Sequence, residues 1–228
     1  MFTNQSVFCA GYPLVFDTET TGLPEKNVSI YDHNKWPYII QLSYIFYDIS
    51  NNISVIKDDY VYIRQEVEIS EASYEKHGIT RQLLNEKGVN IRTAMHDFNR
   101  FLNIADIVIG HNISFDKRMI FVECIRNRIE QKFTKYEGNN KISKPEYCTM
   151  KNTVELCDLY YETKTGKQLK KNPTLSELYK KLFPEAVLPD NLHNSIIDVA
   201  VTIRCYMKHR YDVDICAINN EIKSLLIA

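Results

Sequence analysis

Asp17 and Glu19, two positions apart at the end of the apolar run Leu14-Val15-Phe16, are the residues of this sequence best placed to do chemistry. Side chains alternate along an extended chain, so positions i and i+2 share a face. Two carboxylates on one face repel each other and lose hydration unless something positive sits between them. A pair of hard divalent cations with oxygen ligands meets that need. Spacing alone decides little. With 29 acidic residues in 228, such triplets arise by chance, and Glu66/Glu68 and Asp212/Asp214 repeat the pattern. The first pair differs in standing at the end of a run that reads as a doubly buried strand, just before Gly22, which lets the chain turn away.

Two further acids have both a functional and a bland reading. Asp116 follows His111-Asn112-Ile113-Ser114-Phe115 and falls in the first turn of a helix if Ser114 is its N-cap. The helix dipole favours a carboxylate there by about 0.3–1 kcal/mol without any ligand. His193 precedes Asp198 by five residues. Five steps of about 100° place two helical side chains roughly 140° apart, so the pair can share a site only if His193 lies in the loop before the helix. Leu188-Pro189-Asp190-Asn191 supplies such a loop, and Ser195-x-x-Asp198 also reads as a capping box.

The elements that must hold these groups follow from periodicity. After the first strand, residues 24–37 form a polar loop with the only tryptophan, Trp36. Residues 38–47, rich in β-branched and aromatic side chains, read as a second strand; Asn51-Asn52 suits a turn, and residues 59–64 alternate as a third. Ser70 and Thr80 are expected to cap two short helices, with His77-Gly78 between them as a stop. Residues 91–102 read as a helix, 106–111 as a short strand, 114–129 as an amphipathic helix and 146–156 as a strand and helix. Residues 131–145 and 161–173 are expected to be loops, the second carrying Lys164, Lys167, Lys170 and Lys171 as a candidate track for phosphates. Thr174 caps a helix to about Leu182, Ser195 begins a long helix to about Arg210, and the tail 211–228 is half apolar, as a last packed helix would be. The order predicts an α/β fold: a ribonuclease H-like mixed five-stranded sheet flanked by helices.

Composition bounds the rest. At 228 residues, 44% apolar and 25% charged, the chain reads as one ordinary globular domain, residues 1–228. A net charge of −1 excludes a strongly basic protein, so contact with nucleic acid must be local or mediated by metals. Cys9, Cys124, Cys148, Cys157, Cys205 and Cys216 include no C-x-x-C pair and fall in apolar segments, as reduced core residues of an intracellular, cytoplasmic (or nuclear) protein do. Neither a signal peptide nor a membrane-spanning run is expected.

Taken together, the segments resemble the DEDDh (DnaQ-like) group of 3′–5′ exonucleases, the family of polymerase proofreading subunits and ribonuclease T. Phe16-Asp17-Thr18-Glu19-Thr20-Thr21-Gly22-Leu23 matches its first motif, Gly110-His111-Asn112-x-x-Phe115-Asp116 its second, and His193-x-x-x-x-Asp198 its third. Pro37-Tyr38-Ile39-Ile40-Gln41-Leu42, His77-Gly78-Ile79-Thr80 and Thr174-Leu175-Ser176-Glu177-Leu178 also look like family segments, and the similarity runs over residues 12–208. Asn194 and Ser195 depart from the small residues frequent in relatives. The resemblance implies that Asp17, Glu19, Asp116 and Asp198 bind two Mg²⁺ or Mn²⁺ ions. It implies that His193 is the general base, a role that imidazole side chains commonly take. Thr20, Thr21, Gly22 and Leu23 are expected at the terminal nucleotide, with Gln41, His77 and Asn112 as further substrate contacts. The expected partner is a nucleic acid with a free 3′ end, DNA or RNA. A non-catalytic nucleic-acid-binding module, and a homodimer or polymerase-associated subunit, remain alternatives.

Overall fold

The computed structural model describes residues 11–227; Cys9 and the N-terminal ten residues lie outside them. The chain runs β1 (Pro13–Thr20), β2 (Ile39–Asp48), β3 (Ile53–Tyr60), α1 (Glu71–His77), α2 (Arg81–Lys87), α3 (Ile91–Ile104), β4 (Ile107–Gly110) and α4 (Ile113–Asn127). It continues through β5 (Thr134–Glu137), β6 (Asn140–Ser143), β7 (Glu146–Cys148), α5 (Thr149–Asn152), α6 (Val154–Cys157), β8 (Tyr160–Glu162), β9 (Gln168–Lys170), α7 (Leu175–Leu182), α8 (Ser195–Tyr211) and α9 (Asn220–Leu226). Five strands form one sheet in the order β3-β2-β1-β4-β7. β1, β2 and β3 are antiparallel neighbours, while β4 and β7 join parallel to β1. This is the mixed five-stranded α/β arrangement that the element order predicts.

The two faces of β1 explain why its apolar run is continuous. Leu14 and Phe16 pack with Leu42, Tyr44, Met95, Phe98 and Ile120 under α3 and α4. Val15 packs with Ile45, Tyr47, Ile109, Val199 and Ile203 under α8. Asp17 and Glu19 continue the α8 side, and Thr18 the α4 side, so β1 delivers its carboxylates to one face. The tail adds the 3₁₀ turn Ile215–Ala217 and α9, whose Ile222 is fully buried against α8's cluster. Among the described residues no helix is long and apolar enough to cross a membrane. The five described cysteines are free thiols, four of them buried.

Local signals held well at caps. Ser70 and Thr80 accept from Ser73 and Leu83 N–H at the starts of α1 and α2, and Gly78 ends α1 at φ 65°, where a side chain would be strained. Thr174 and Glu177 form a reciprocal capping box on α7. Asn52 takes φ 53° in the β2–β3 turn.

Elsewhere the structure differs. β3 is Ile53–Tyr60 rather than 59–64, an edge strand with no fully buried residue and so no clean alternation to read. Residues 131–145 contain the β5–β6 hairpin, turning at Gly138 (φ 60°), and residues 160–170 contain the β8–β9 hairpin, turning at Gly166 (φ 78°). These ribbons are solvated on both sides, which erases the period-2 signal. The caps of α4 and α8 are Asn112 and Asn194, one or two residues ahead of the expected serines.

Candidate active site

Three chain segments, 181 positions apart at the extremes, bring the acids together. Asp17 and Glu19 come from the end of β1, where the register with β2 shifts between Glu19 and Thr20. Asp116 lies one turn into α4, and Asp198 one turn into α8. Gly110 lets α4 start tight against β4: a Cβ there would sit 3.1 Å from Ile113 Cβ. The Ser195 hydroxyl donates to the Asp17 carbonyl at 2.9 Å, pinning the start of α8 to β1. Thr18 donates to Asp116 Oδ1 twice, from its N–H (3.1 Å) and its hydroxyl (2.8 Å), which ties α4 to the opposite face of the same strand.

Carboxylate oxygens of Asp17, Glu19 and Asp198 lie within 4.8 Å of one another. Asp116 is nearly fully buried and is the strongest charged neighbour of Asp17. The cost of the arrangement appears in its protonation. Burial, followed by repulsion from Asp116, Asp198 and Glu19, raises the Asp17 carboxyl well above its ordinary range. Glu19 is pushed up to about 8 by burial and by Asp198 and Asp116, with Lys76 opposing. Burial raises Asp116 to about 7 against the Thr18 hydrogen bonds, and Asp198 to about 6 against the His193 N–H. A donor set made only of oxygen atoms, too crowded to ionise fully by itself, fits hard divalent cations.

This fit has a measurable consequence for stability. The folded acids bind protons up to about pH 6–8, while an unfolded carboxyl releases them near pH 4. Folding therefore takes up protons across that window, and stability present below pH 4 is lost as pH rises toward 8. In EDTA the melting temperature should fall between pH 5 and pH 8.5, and saturating Mg²⁺ should raise it more at pH 8.5 than at pH 5. Equal shifts at both pH values would show that the acids do not hold the ion.

The acids open on a cavity of about 370 Å³. Thr20, Gly22, Leu23, His77, Asn112 and His193 line it with them, and the Leu23 side chain is 78% exposed. His193 lies in the loop before α8, as the helical geometry requires. It adopts φ 74°, which aims its N–H at Asp198 Oδ1 (3.3 Å) and leaves its side chain exposed. Asn112 is likewise left-handed, at φ 67°.

Two expected residues are elsewhere. Thr21 is buried between the cavity and β2: its N–H donates to the Tyr38 carbonyl, and its hydroxyl accepts from the Tyr38 N–H. Gln41 is buried too, its amide donating to Asp58 (2.7 Å) and to Asn194 (3.3 Å), the α8 cap. Gln41 thus joins β3 to the cap of α8, next to His193. Of the lysines in the second hairpin, Lys170 pairs with Glu155 and Asp158, and Lys171 with Glu177 at 2.6 Å. That leaves Lys164 and Lys167 as the exposed pair at the tip.

The α1 wall of the cavity, with Ser70, Ser73 and Lys76, was not visible in sequence. Ser70 reads there only as a cap; its N–H bond to the Thr21 carbonyl (2.8 Å), which draws α1 to the site, is a long-range contact. His111 also lines the cavity, held by Thr149 and the Pro173 carbonyl, and burial lowers its pKa to about 4.

Comparison with known proteins agrees with this geometry. The profile of the exonuclease family RNase_T matches residues 14–206. No curated protein matches the chain. Among solved structures, Escherichia coli exonuclease I in complex with a dA16 oligonucleotide superposes with a TM-score of 0.60 at 17% identity, over 89% of this chain and 42% of that one. The zinc-bound form of the E. coli exonuclease I–single-stranded DNA complex gives 0.62 at 17%, over 89% and 41%. Exonuclease I from Methylocaldum szegediense gives 0.59 at 16%, over 90% and 42%. The chain thus spans less than half the length of these proteins, and at such identity the likeness is one of fold. The family profile, by contrast, spans most of the sequence and contains all four acids and His193: this chain belongs to the exonuclease family.

Proposed function

We propose that the chain acts as a single-domain, metal-dependent 3′–5′ exonuclease that hydrolyses DNA or RNA to nucleoside 5′-monophosphates. The observation that carries this reading is the convergence of three carboxylates within 4.8 Å, with the Asp116 carboxylate near enough to act strongly on Asp17. Asp17, Glu19 and Asp198 would hold two divalent cations, Mg²⁺ or Mn²⁺, with Asp116 offering the oxygen that Thr18 does not occupy. Bound there, such ions lower the pKa of a water and neutralise charge on the scissile phosphate and the leaving 3′-oxygen. The remaining steps belong to the chain itself. His193, exposed at the rim, takes the proton of the attacking water. Backbone groups of Thr20 and Gly22 meet the terminal nucleotide, and Leu23 packs on its base. Thr21 acts from behind by fixing that loop to Tyr38. The oligonucleotides bound to E. coli exonuclease I support a nucleic-acid substrate.

Polarity is tested with one oligonucleotide labelled at either end, in DNA and RNA versions. A 3′ label should leave first as a labelled mononucleotide, while a 5′ label should stay on a shrinking ladder. Early release of a 5′ mononucleotide, or a single internal cut, would overturn the reading.

A further inference from the structure

A second cavity, of about 450 Å³, lies one residue contact away from the lining of the catalytic one. Tyr38 lines it, and Tyr38 exchanges hydrogen bonds with Thr21, whose chain neighbours Thr20 and Gly22 line the acid site. The two cavities are opposite in charge. The second is lined by three guanidiniums, those of Arg64, Arg92 and Arg126, against one carboxylate, Glu123. Glu123 is already satisfied by Arg126 (2.7 Å) and Asn127 (3.0 Å).

The three arginines are not equivalent. Arg126 is spent on structure: it donates to the Pro37 carbonyl at 2.7 Å, and also to His33 and Trp36, with its guanidinium 3.9 Å from the Tyr38 ring centroid. It makes Tyr38 a fixed wall. Arg64 and Arg92 are exposed. Among the described residues the Arg64 guanidinium pairs only with the solvated carboxylate of Glu66, and Arg92 gives one nitrogen to the Asn127 carbonyl. Such an exposed pair holds Arg64 weakly. The N-terminus of α3, at Asn90, Ile91 and Arg92, opens on the same space; the Asn90 side chain caps the Arg92 N–H there, and the positive end of the helix dipole adds to the charge of the guanidiniums. Tyr62 offers a half-exposed ring beside them, held in place by its N–H bond to the Val89 carbonyl. The buried Nδ1 of His33, which also lines the cavity, has no partner among the described residues.

Guanidiniums beside an aromatic face, in a volume that admits one nucleotide, are the chemistry of a site for an unpaired nucleotide. We infer that this cavity binds a nucleotide of a single-stranded polynucleotide upstream of the one at the acids, with phosphates on Arg64 and Arg92 and a base stacked on Tyr62. The inference rests on the nuclease reading, and it supplies the local positive charge that a chain of net charge −1 needs for such a substrate.

The test measures binding of a fluorescein-labelled single-stranded 16-mer, as DNA and as RNA, in an Asp17→Asn background that leaves it uncut. Two phosphate contacts predict that Arg64→Gln with Arg92→Gln flattens the slope of log K against log salt by about 1.4. Tyr62→Ala should weaken binding about 5- to 150-fold, and Tyr62→Phe, which keeps the ring, should restore it. In the otherwise wild-type enzyme, the double Gln change should lower the ratio of 16-mer to dinucleotide kcat/KM, a readout that separates a strand track from a pocket for free nucleotide. A protein that cut no nucleic acid yet bound the 16-mer with this dependence would break the nuclease reading and uphold the cavity. Unchanged slope and ratio in an active enzyme would overturn the cavity alone, as would a slope that flattened only in Lys164→Ala with Lys167→Ala.

Discussion

Asp17→Asn is expected to reduce hydrolysis to background while making the metal-free protein more stable. The two effects share one cause. Asp17 is half-buried and repelled by Asp116, Asp198 and Glu19 together, so removing its charge relieves all three. Relief of a strained carboxyl cluster should appear as a gain on the order of 1–2 kcal/mol in denaturant unfolding above pH 7 in EDTA. On the proposed mechanism activity should vanish because the trio loses one of its three carboxylates. EDTA should silence the wild type in the same way, with Mg²⁺ or Mn²⁺ restoring it. Full turnover in EDTA, or an Asp17→Asn enzyme that is both active and unchanged in stability, would remove the metal mechanism.

The second large effect is expected at His193, where glycine is a better probe than alanine. At φ 74° a side chain is strained and glycine is not. The backbone N–H that reaches Asp198 belongs to the residue whatever its side chain, so His193→Gly should leave α8 and the acids in place. Loss of a general base should then lower kcat by about 10²–10⁴-fold with little change in metal affinity. Imidazole in the buffer should recover part of it, since the side chain stands at an exposed rim with room for a replacement. A glycine variant as fast as the wild type would make His193 a loop residue whose only task is its backbone.

What could be read from sequence was local or motif-borne. Ser70, Thr80 and Thr174 announced helix starts because a cap is satisfied within three residues. The turn angle between His193 and Asp198 foretold that the histidine must precede the helix. Gln41 and Thr21 were placed by their neighbours in a motif, yet their roles depend on Asp58, Asn194 and Tyr38, 17 to 153 residues away. Lys170 and Lys171 looked free for phosphates until Glu155, Asp158 and Glu177 came beside them. The arginine cavity draws on Arg64, Arg92 and Arg126, which no window of sequence holds together.

The bond between Ser195 and Asp17 spans 178 residues and joins the first strand to the last long helix. Contacts of such separation form late, because loop closure must precede any reward. During translation the first three acids emerge well before Asp198, and a chain halted just short of α8 has three of the four carboxylates and lacks the fourth. On the proposed mechanism, hydrolytic capacity therefore arises only once α8 has been made and docked on β1, and a product truncated before α8 would be inert toward nucleic acid.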